Sequence, residues 1–255
     1  MDIKDGELVL KASGWDHLYI PTPTESKYAI SGEESQIVTF KLGVGEEIKG
    51  EPGTMMFLSS GLKANLVCEG CCSRCISGES CCVVSYINSG AGGKNTAYAA
   101  LTPNFPTAKV VPVDLNSTDV NGSLITQQGA FMASYGDVRV MHSFDCNFMR
   151  CCCAGLGLIR QKLKGDGTVF LESTGTIVQK VLVVGETIVV DTDCVLAFAE
   201  SVKIDLKKSG SLLGMFGGGE GIFNTILTGP GLVLIQSMSQ ETFRAALVAN
   251  KLYRR

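Results

Sequence analysis

Residues 217–237 read GGGEGIFNTILTGPGLVLIQS, and a weaker copy, CCCAGLGLIRQKLKGDGTVFLES, occupies residues 151–173. Six identical positions of the two stretches are separated by a constant 64 residues. They are the pairs Gly155 and Gly219, Gly157 and Gly221, Gly165 and Gly229, Gly167 and Gly231, Val169 and Val233, and Ser173 and Ser237. The offset continues upstream, where Ala133 corresponds to Ala197 and Val138 to Val202. The sequence therefore predicts an internal structural repeat.

A third, fainter copy precedes these two. Met55, Met56 and Lys63 lie 76 residues before similar residues of the second copy, which are Phe131, Met132 and Arg139. Residues 88–106 are rich in Gly, Pro, Asn and Thr and are interpreted as an inserted loop. We predict one domain over residues 1–255, with repeats at about 30–105, 106–173 and 174–238. Because this period exceeds that of solenoids, each copy is expected to be a small sheet module that closes with the others around one core.

Composition agrees with a single folded body. The chain has 255 residues, of which 45% are hydrophobic and 18% charged, enough to bury a sizeable core. The net charge is −3, which gives no general attraction to nucleic acid or anionic lipid. Basic residues are scattered with few aromatic residues between them, so no nucleic-acid partner is expected.

Local patterns indicate strands. Residues 202–206 alternate strictly between apolar and charged side chains, whereas residues 181–184 and 187–190 are β-branched runs typical of strands buried on both faces. Turn residues recur at strand-length intervals, as at 165–167 and 229–231. Residues 239–255 alone have a helical pattern, with Ser239 as a candidate N-cap. The predicted fold is all-β with a short C-terminal helix.

No targeting or membrane segment is predicted. Residues 1–7 alternate in charge and have no apolar core, unlike a secretory signal. Residues 221–240 are uncharged and long enough to span a membrane, but they contain Asn224 and the turn at 229–231, so we interpret them as two strands joined by a turn. A cytoplasmic protein is expected, with membrane association as a further option.

The glycine pattern at 219–237, its copy at 155–173 and the Ser-Gly-Glu-Ser segment at 77–80 resemble the altered-inheritance-of-mitochondria family. The resemblance covers roughly residues 30–238. It implies a fold grouped with the tryptophan RNA-binding attenuation protein, that is, a pseudo-threefold body of the double-stranded β-helix group, with no established enzymatic activity. A mitochondrial location is implied by this resemblance only.

The eleven cysteines fall mostly into two clusters at equivalent places of the first and second repeats. The clusters are Cys68, Cys71, Cys72, Cys75, Cys81 and Cys82, and Cys146, Cys151, Cys152 and Cys153. The odd number of cysteines, the adjacent pairs and the lack of a secretory signal favour reduced thiols over a disulfide framework.

Three interpretations of these thiols remain open. Zinc binding would use Cys68, Cys71, Cys72 and Cys75 with Cys151, Cys152 and Cys153, although the overlapping pairs cannot all face one ion. Reversible S-acylation is typical of cysteine runs beside apolar residues. Alternatively, the cysteines are small buried hydrophobic residues, and no cofactor is bound.

Apolar segments precede the glycine turns in both copies. The candidate interaction patch consists of Phe148, Met149, Leu212, Leu213, Met215 and Phe216. If three repeats surround an axis, such segments meet at one end, where they would bind a protein partner, another subunit or a membrane surface. The alternative is that they fill the end of the barrel.

No catalytic motif is present. Residues 90–95 imitate a phosphate-binding loop but lack its first glycine and its hydroxyl residue, and His142 aligns with the apolar position Leu206, which favours a packed histidine. The glycines are interpreted as structural turns at Gly78, Gly155, Gly157, Gly219, Gly221, Gly229, Pro230 and Gly231. The sequence thus predicts a non-catalytic β scaffold that acts through protein or peripheral membrane contacts; the alternative is a zinc-binding or thiol redox module built on the cysteine clusters.

Overall fold

The computed structural model describes residues 16–17, 27–33, 35–68, 82–93, 95–143, 160–208, 223–239, 243 and 247. These residues are nearly all β-strand. The strands are β1 (Asp16–His17), β2 (Tyr28–Ser31), β3 (Ile37–Gly43), β4 (Glu47–Gly50), β5 (Met55–Leu58), β6 (Leu62–Val67), β7 (Val83–Asn88), β8 (Thr96–Leu101), β9 (Lys109–Asp114), β10 (Ser123–Gln127), β11 (Phe131–Ser143), β12 (Arg160–Leu182), β13 (Thr187–Asp191), β14 (Val195–Ala199), β15 (Lys203–Lys208), β16 (Phe223–Thr228) and β17 (Gly231–Met238).

The predicted all-β fold is confirmed. Short 3-10 turns at Ala91–Gly93 and Thr192–Cys194 interrupt the strands. Of the predicted C-terminal helix, Phe243 and Leu247 are described, and the amide of Phe243 donates to the carbonyl oxygen of Ser239 at 3.0 Å. Within the described part of the chain, no helix is both long enough and apolar enough to cross a membrane.

The chain divides into two compact units. One comprises Tyr19–Ser173, and the other comprises Met1–Leu18 with Thr174–Arg255. The boundary between Ser173 and Thr174 falls where the sequence places the end of the second repeat, and it divides strand β12. The single domain inferred from the sequence stays a prediction beside this division.

The unit of residues 19–173 contains two antiparallel sheet regions. The first has the order β2, β3, β8, β5, so that β5 is an edge strand. In the second, residues 160–173 of β12 pair with β9, β10 and β11, and the sheet continues from β11 through β4 and β7 to β6. Buried aromatic and aliphatic side chains fill this unit, and its core includes Val38, Phe40, Leu42, Ile48, Tyr86, Leu101, Val110, Met132 and Phe170.

The other unit also has two sheet regions. Residues 174–182 of β12 pair with β17 and with β1, and β17 pairs with β14, whose five residues are all buried. The second region has the order β13, β16, β15. Residues 221–240 were predicted to form two strands around a turn, and β16 and β17 confirm this over Phe223–Met238, with Gly229 and Pro230 between them.

Strand register recurs at the sequence offset of 64 residues. In β11 and β12, Arg139 lies opposite Lys164, and in β15 and β16, Lys203 lies opposite Thr228. In β6 and β7, Lys63 lies opposite Ile87. A β-bulge also recurs. It lies between Met55 and Phe57 in β5, between Phe131 and Ala133 in β11, and between Val195 and Ala197 in β14.

The predicted turn at 165–167 is wrong, because Gly165, Asp166 and Gly167 lie inside the continuous strand β12. Gly167 lies opposite Gly136 of β11, and Gly165 lies opposite Val138. Both glycines of β12 have positive φ, +144° at Gly165 and +149° at Gly167. These positions require glycine because a Cβ would collide with backbone oxygens of β11, rather than because the chain reverses there.

Two β-branched runs are also less buried than the sequence suggests. Strand β12 ends at Leu182, so Val183 and Val184 lie in the following turn and are exposed. Strand β13 alternates between exposed and half-buried residues. The reason is its place at the edge of its sheet, where one side of the strand has no neighbour to cover it.

Candidate functional site

Most residues of the predicted sites lie outside the described residues. These are the metal candidates Cys71, Cys72, Cys75, Cys151, Cys152 and Cys153, the whole interaction patch of Phe148, Met149, Leu212, Leu213, Met215 and Phe216, and the turn residues Gly78, Gly155, Gly157, Gly219 and Gly221. Their roles stay predictions. Of the remaining candidates, Gly229 and Pro230 lie between β16 and β17, Gly231 begins β17, and Cys68 follows β6.

Cys68 and Cys82 are joined in a disulfide, with their Cα atoms 4.1 Å apart. The expectation of reduced thiols is therefore wrong for this pair. The physical reason is the pairing of β6 with β7, which places Val67 opposite Val83 and brings the next residue of each strand together. A bridged sulfur is not a thiolate, so Cys68 in this state is no zinc ligand. Among the described residues, no group of three or more His, Cys, Asp or Glu could hold a metal ion.

Apolar side chains are exposed on the edge strand β5. Met55, Met56 and Phe57 are 50%, 57% and 45% exposed, and Tyr98 of β8 is 45% exposed. Phe57 lies opposite Ala100, two residues after Tyr98, so Phe57 and Tyr98 share a face of the sheet. We call Met55, Met56, Phe57 and Tyr98 the β5 surface. Contiguous exposed apolar residues of this kind mark binding surfaces.

A polar network lies elsewhere in the same unit. One oxygen of Glu46, Oε1, accepts hydrogen bonds from Nζ of Lys27 at 2.7 Å and from Oη of Tyr135 at 3.0 Å. The other oxygen, Oε2, accepts from the amide of Gly43 at 2.6 Å. The carboxylate thereby ties the residue before β2 and the turn between β3 and β4 to strand β11.

The pKa shifts in this network all point away from neutral pH. The hydrogen bond from Lys27 lowers the pKa of Glu46, and the hydrogen bond to Glu46 raises the pKa of Lys27. Burial raises the pKa of Tyr135, and its bond to Glu46 raises it further. A general acid or base works best with a pKa near the working pH, so these three groups are suited to holding strands together rather than to exchanging protons.

Glu172 is a buried carboxylate in β12. It is 4% exposed, and its two oxygens accept the amides of Asn104 at 2.8 Å and Phe105 at 3.1 Å. These bonds hold the loop between β8 and β9 against β12. Burial raises the pKa of Glu172, and the two amides oppose that shift in part.

We expect this carboxylate to make stability depend on pH. Its pKa is higher in the folded chain than in the unfolded chain, so the folded state binds more protons between the two values. The contribution of Glu172 is therefore full below the unfolded pKa, about 4.3 for Glu, and is lost as pH rises through the folded pKa. The difference in free energy of unfolding between wild type and Glu172→Gln should fall from pH 4 to pH 7, by at most about 1.4 kcal/mol per pH unit.

Urea unfolding at half-unit pH steps measures this difference. The matched control is Asp119→Asn, an exposed carboxylate in the turn between β9 and β10, whose difference from wild type should stay flat over the same range. A rising difference for Glu172→Gln, or a slope equal to that of the control, would contradict the role given to burial.

Sequence analysis did not identify Glu172 or Arg160 as buried charges. Burial lowers the pKa of Arg160 to about 10, which still leaves the guanidinium charged at neutral pH. Neither residue stands in a motif, and the atoms that surround each come from distant parts of the chain. Cys194 is half-buried, and burial, with Asp191 and Asp193 nearby, raises the pKa of its thiol, which makes it a weak nucleophile.

Comparison with known proteins gives three results. A family model described as mitochondrial biogenesis AIM24 matches residues 28–238. An uncharacterised protein of Streptococcus pyogenes serotype M6 is 28% identical over 173 residues, which span 68% of this chain and 64% of that protein, less than two thirds of its length. A crystal structure of a Streptococcus pyogenes protein is similar with a TM-score of 0.67 and 22% identity, covering 88% of this chain and 98% of the other. At that identity, the likeness shows the fold alone.

Proposed function

The chain belongs to the mitochondrial biogenesis AIM24 family, and from this premise we propose that it is a non-catalytic β scaffold that acts through protein contacts, above all with further copies of itself. Family membership confirms the resemblance inferred from the glycine motif. The relative in Streptococcus pyogenes is described as uncharacterised, so no activity is carried over from it. The contact surface proposed for this scaffold is the β5 surface, and no cofactor is part of the proposal.

The proposal includes three repeats arranged about a pseudo-threefold axis, as in the fold of the tryptophan RNA-binding attenuation protein. Its support is the recurrence of both register and bulge at the sequence offsets. Equivalent bulges lie opposite equivalent residues, namely Leu101 and Ala100, Leu171 and Phe170, and Ile235 and Leu234. A bulge is a feature of one particular strand pair, so three copies in matching register favour one duplicated unit.

The observation that carries the function is a difference between equivalent positions. Met55, Met56 and Phe57 are exposed. Their equivalents in the other two repeats are all buried, and these are Phe131, Met132 and Ala133, and Val195, Leu196 and Ala197. The first repeat thus has apolar side chains at positions that the other repeats cover. Burying such side chains is favourable by roughly 25 cal/mol per Å² of apolar surface, which is a driving force for a protein contact.

Strand β11 indicates what fits on β5. Its far edge pairs with β4, where Ala133 lies opposite Gly50. By the repeat offsets, Phe57 takes the place of Ala133, and Val190 of β13 takes the place of Gly50. Strand β13 is itself an edge strand. A second copy that adds its β13 to β5, with Phe57 opposite Val190, would supply the neighbour that the β5 surface lacks.

Charge favours a protein over a membrane as the partner. Strands β5, β8 and β13 contain no lysine or arginine, whereas peripheral binding to anionic lipid relies on basic residues beside apolar ones. The family description points to mitochondrial biogenesis, and both similar proteins come from a bacterium. The proposed scaffold role therefore does not depend on a mitochondrial location, and we retain a cytoplasmic one.

Self-association predicts a concentration-dependent sedimentation coefficient for the wild-type protein. Phe57→Lys and Val190→Lys should each raise the dissociation constant by roughly 100-fold or more, because either change places a charge in the centre of the pairing. Mixing Phe57→Lys with Val190→Asp should restore association, since the two charges then face each other. Sedimentation velocity over a wide concentration range measures all of these.

The matched control is Val44→Lys, which adds the same charge at an exposed apolar residue in the turn between β3 and β4. It should associate like the wild type. The proposal would be contradicted by a monomeric wild type whose β5 amides are nevertheless protected from hydrogen exchange. Binding of the wild type to phospholipid vesicles without self-association would instead favour the membrane.

The alternative function is a zinc-binding or thiol redox module. A specific observation now favours its redox half, because Cys68 and Cys82 form a disulfide and Cys68 is then no thiolate ligand.

A further inference from the structure

The disulfide lies at the end of a paired strand region. Strands β6 and β7 run antiparallel from Leu62 opposite Asn88 to Val67 opposite Val83, and Cys68 and Cys82 come next. Cys68 is exposed, whereas Cys82 is half-buried. The two sulfur atoms therefore differ in how easily a thiol in solution can reach them.

Strand pairing at this place does not require a bridge. The equivalent residues of the third repeat are Lys208 and Phe223, which lie opposite each other at the end of β15 and β16. This pair forms the same register with residues that cannot cross-link. The disulfide is therefore an added constraint that is specific to the first repeat, rather than a condition for forming the strand pair.

The bridge holds a strand that has few other attachments. Strand β6 is the edge of its sheet, and its four central residues, Lys63 to Leu66, are all exposed. Leu66 is 72% exposed. Little apolar burial holds β6, so its backbone bonds to β7 and the disulfide carry most of its attachment. Segments with few buried contacts and solvent-exposed backbone bonds open locally at low cost.

We propose that Cys68–Cys82 is a thiol-exchange site, that its reaction partner is a dithiol reductant, and that its redox state controls how firmly β6 is attached to β7. This inference goes beyond the scaffold function and does not rest on self-association.

The exchange follows ordinary thiol–disulfide chemistry. One thiolate of the reductant attacks the exposed Sγ of Cys68, the bond between the two protein sulfurs breaks, and Cys82 leaves as a thiolate that takes a proton from water. The second thiol of the reductant, as its thiolate, then attacks the mixed disulfide. This step forms the reductant's own disulfide and releases Cys68 as a thiolate. Two electrons pass from the dithiol to the protein, and the reverse sequence restores the bridge.

The consequence is confined to one edge of the sheet. The bridged residues close a segment with a sequence separation of 14, and closing a loop of about that length restricts the opened strand pair. When the bridge is reduced, β6 can separate from β7 at its Cys68 end while β7 remains paired with β4. The edge that β6 covers on β7 then becomes accessible to solvent.

Two measurements on the full-length protein test this inference. Free thiols are alkylated with N-ethylmaleimide before and after treatment with dithiothreitol, and tandem mass spectrometry locates the label. Hydrogen exchange of the β6 amides is followed in the same samples, with β3 as the internal reference because its residues Val38, Phe40 and Leu42 are fully buried. The variants are Cys68→Ser with Cys82→Ser, and Cys194→Ser as the control.

We expect Cys68 and Cys82 to be unlabelled before reduction and labelled after it. Exchange of the β6 amides bonded to β7 should rise on the order of 100-fold on reduction, with β3 unchanged. The double variant should behave like the reduced wild type and should not respond to dithiothreitol, whereas Cys194→Ser should behave like the wild type.

Three results would overturn the proposal. They are labelling of both cysteines in the untreated protein, equal β6 exchange in the two redox states, or a rise in β3 as large as that in β6, which would mean loss of the whole fold. No partner enters these measurements, so their outcome and the outcome of the sedimentation experiment are independent.

Discussion

Replacing Gly167 by alanine is expected to lower the free energy of unfolding by about 3 kcal/mol or more, the combined cost of backbone strain and overpacking. Gly167 has a φ of +149°, which a residue with a side chain rarely adopts. Its added Cβ would collide with the carbonyl oxygen of Tyr135 and lie 3.0 Å from the Cα of Gly136. Both atoms belong to the backbone of the paired strand β11, so no side-chain rotation relieves the collision.

Gly129→Ala is the matched control. Gly129 also has a positive φ, +74°, but a Cβ there meets nothing within 4 Å. It should cost only about 1 kcal/mol, the penalty of the left-handed conformation. Urea unfolding followed by circular dichroism gives both values. Equal losses for the two variants would mean that the close approach of β11 and β12 at Gly167 does not determine its cost.

Replacing Phe170 by alanine is expected to cost about 3 to 5 kcal/mol, the usual range for a fully buried phenylalanine. Phe170 lies in β12, and no part of it is exposed. Its ring packs edge-on against Tyr28, with centroids 4.8 Å apart, and against Phe40, with centroids 4.9 Å apart. Truncation therefore removes two aromatic contacts and leaves a cavity between β2, β3 and β12.

Tyr98→Ala provides the comparison for this loss. Tyr98 is also an aromatic residue on a strand of the same unit, but nearly half of it is exposed. Its removal should change the free energy of unfolding by less than about 1 kcal/mol at low protein concentration, in line with other surface changes. Thermal unfolding of both variants at matched concentration measures the contrast. A Phe170→Ala loss no larger than that of Tyr98→Ala would show that the aromatic cluster is not central to the core.

The sequence predicted the strands well because their signals are local. The alternation at residues 202–206 corresponds to β15, and the uncharged stretch before Gln240 corresponds to β16 and β17. The constant offset of 64 residues also anticipated that Arg139 and Lys203 occupy equivalent places in their strand pairs. Periodicity and turn residues act over a few neighbours, so they can be interpreted without knowledge of the remaining chain.

Burial was predicted less well because it depends on the neighbouring strand. Residues 55–58 and 187–190 have the apolar composition of covered strands, yet β5 and β13 are sheet edges. Gly165 and Gly167 show the same limit. Their composition is that of a turn, and only the paired backbone of β11 reveals why glycine is needed there.

Candidate residues that work through distant partners gave no local signal at all. Glu172 is recognisable only once the chain brings the amides of Asn104 and Phe105 to it, 68 and 67 positions away in sequence. The disulfide was missed for a related reason. Cysteine number and spacing favour reduced thiols, but the pairing of β6 with β7 decides which two sulfurs meet.

The loop held by Glu172 has a further consequence. Between Pro103 and Pro106, neither of which has an amide hydrogen, the only amides are those of Asn104 and Phe105, and both are bonded to one carboxylate. A passing polypeptide that seeks backbone donors finds none on offer along this stretch. The connection from β8 to β9 is thereby protected against aggregation in a protein that is otherwise built almost entirely of strands.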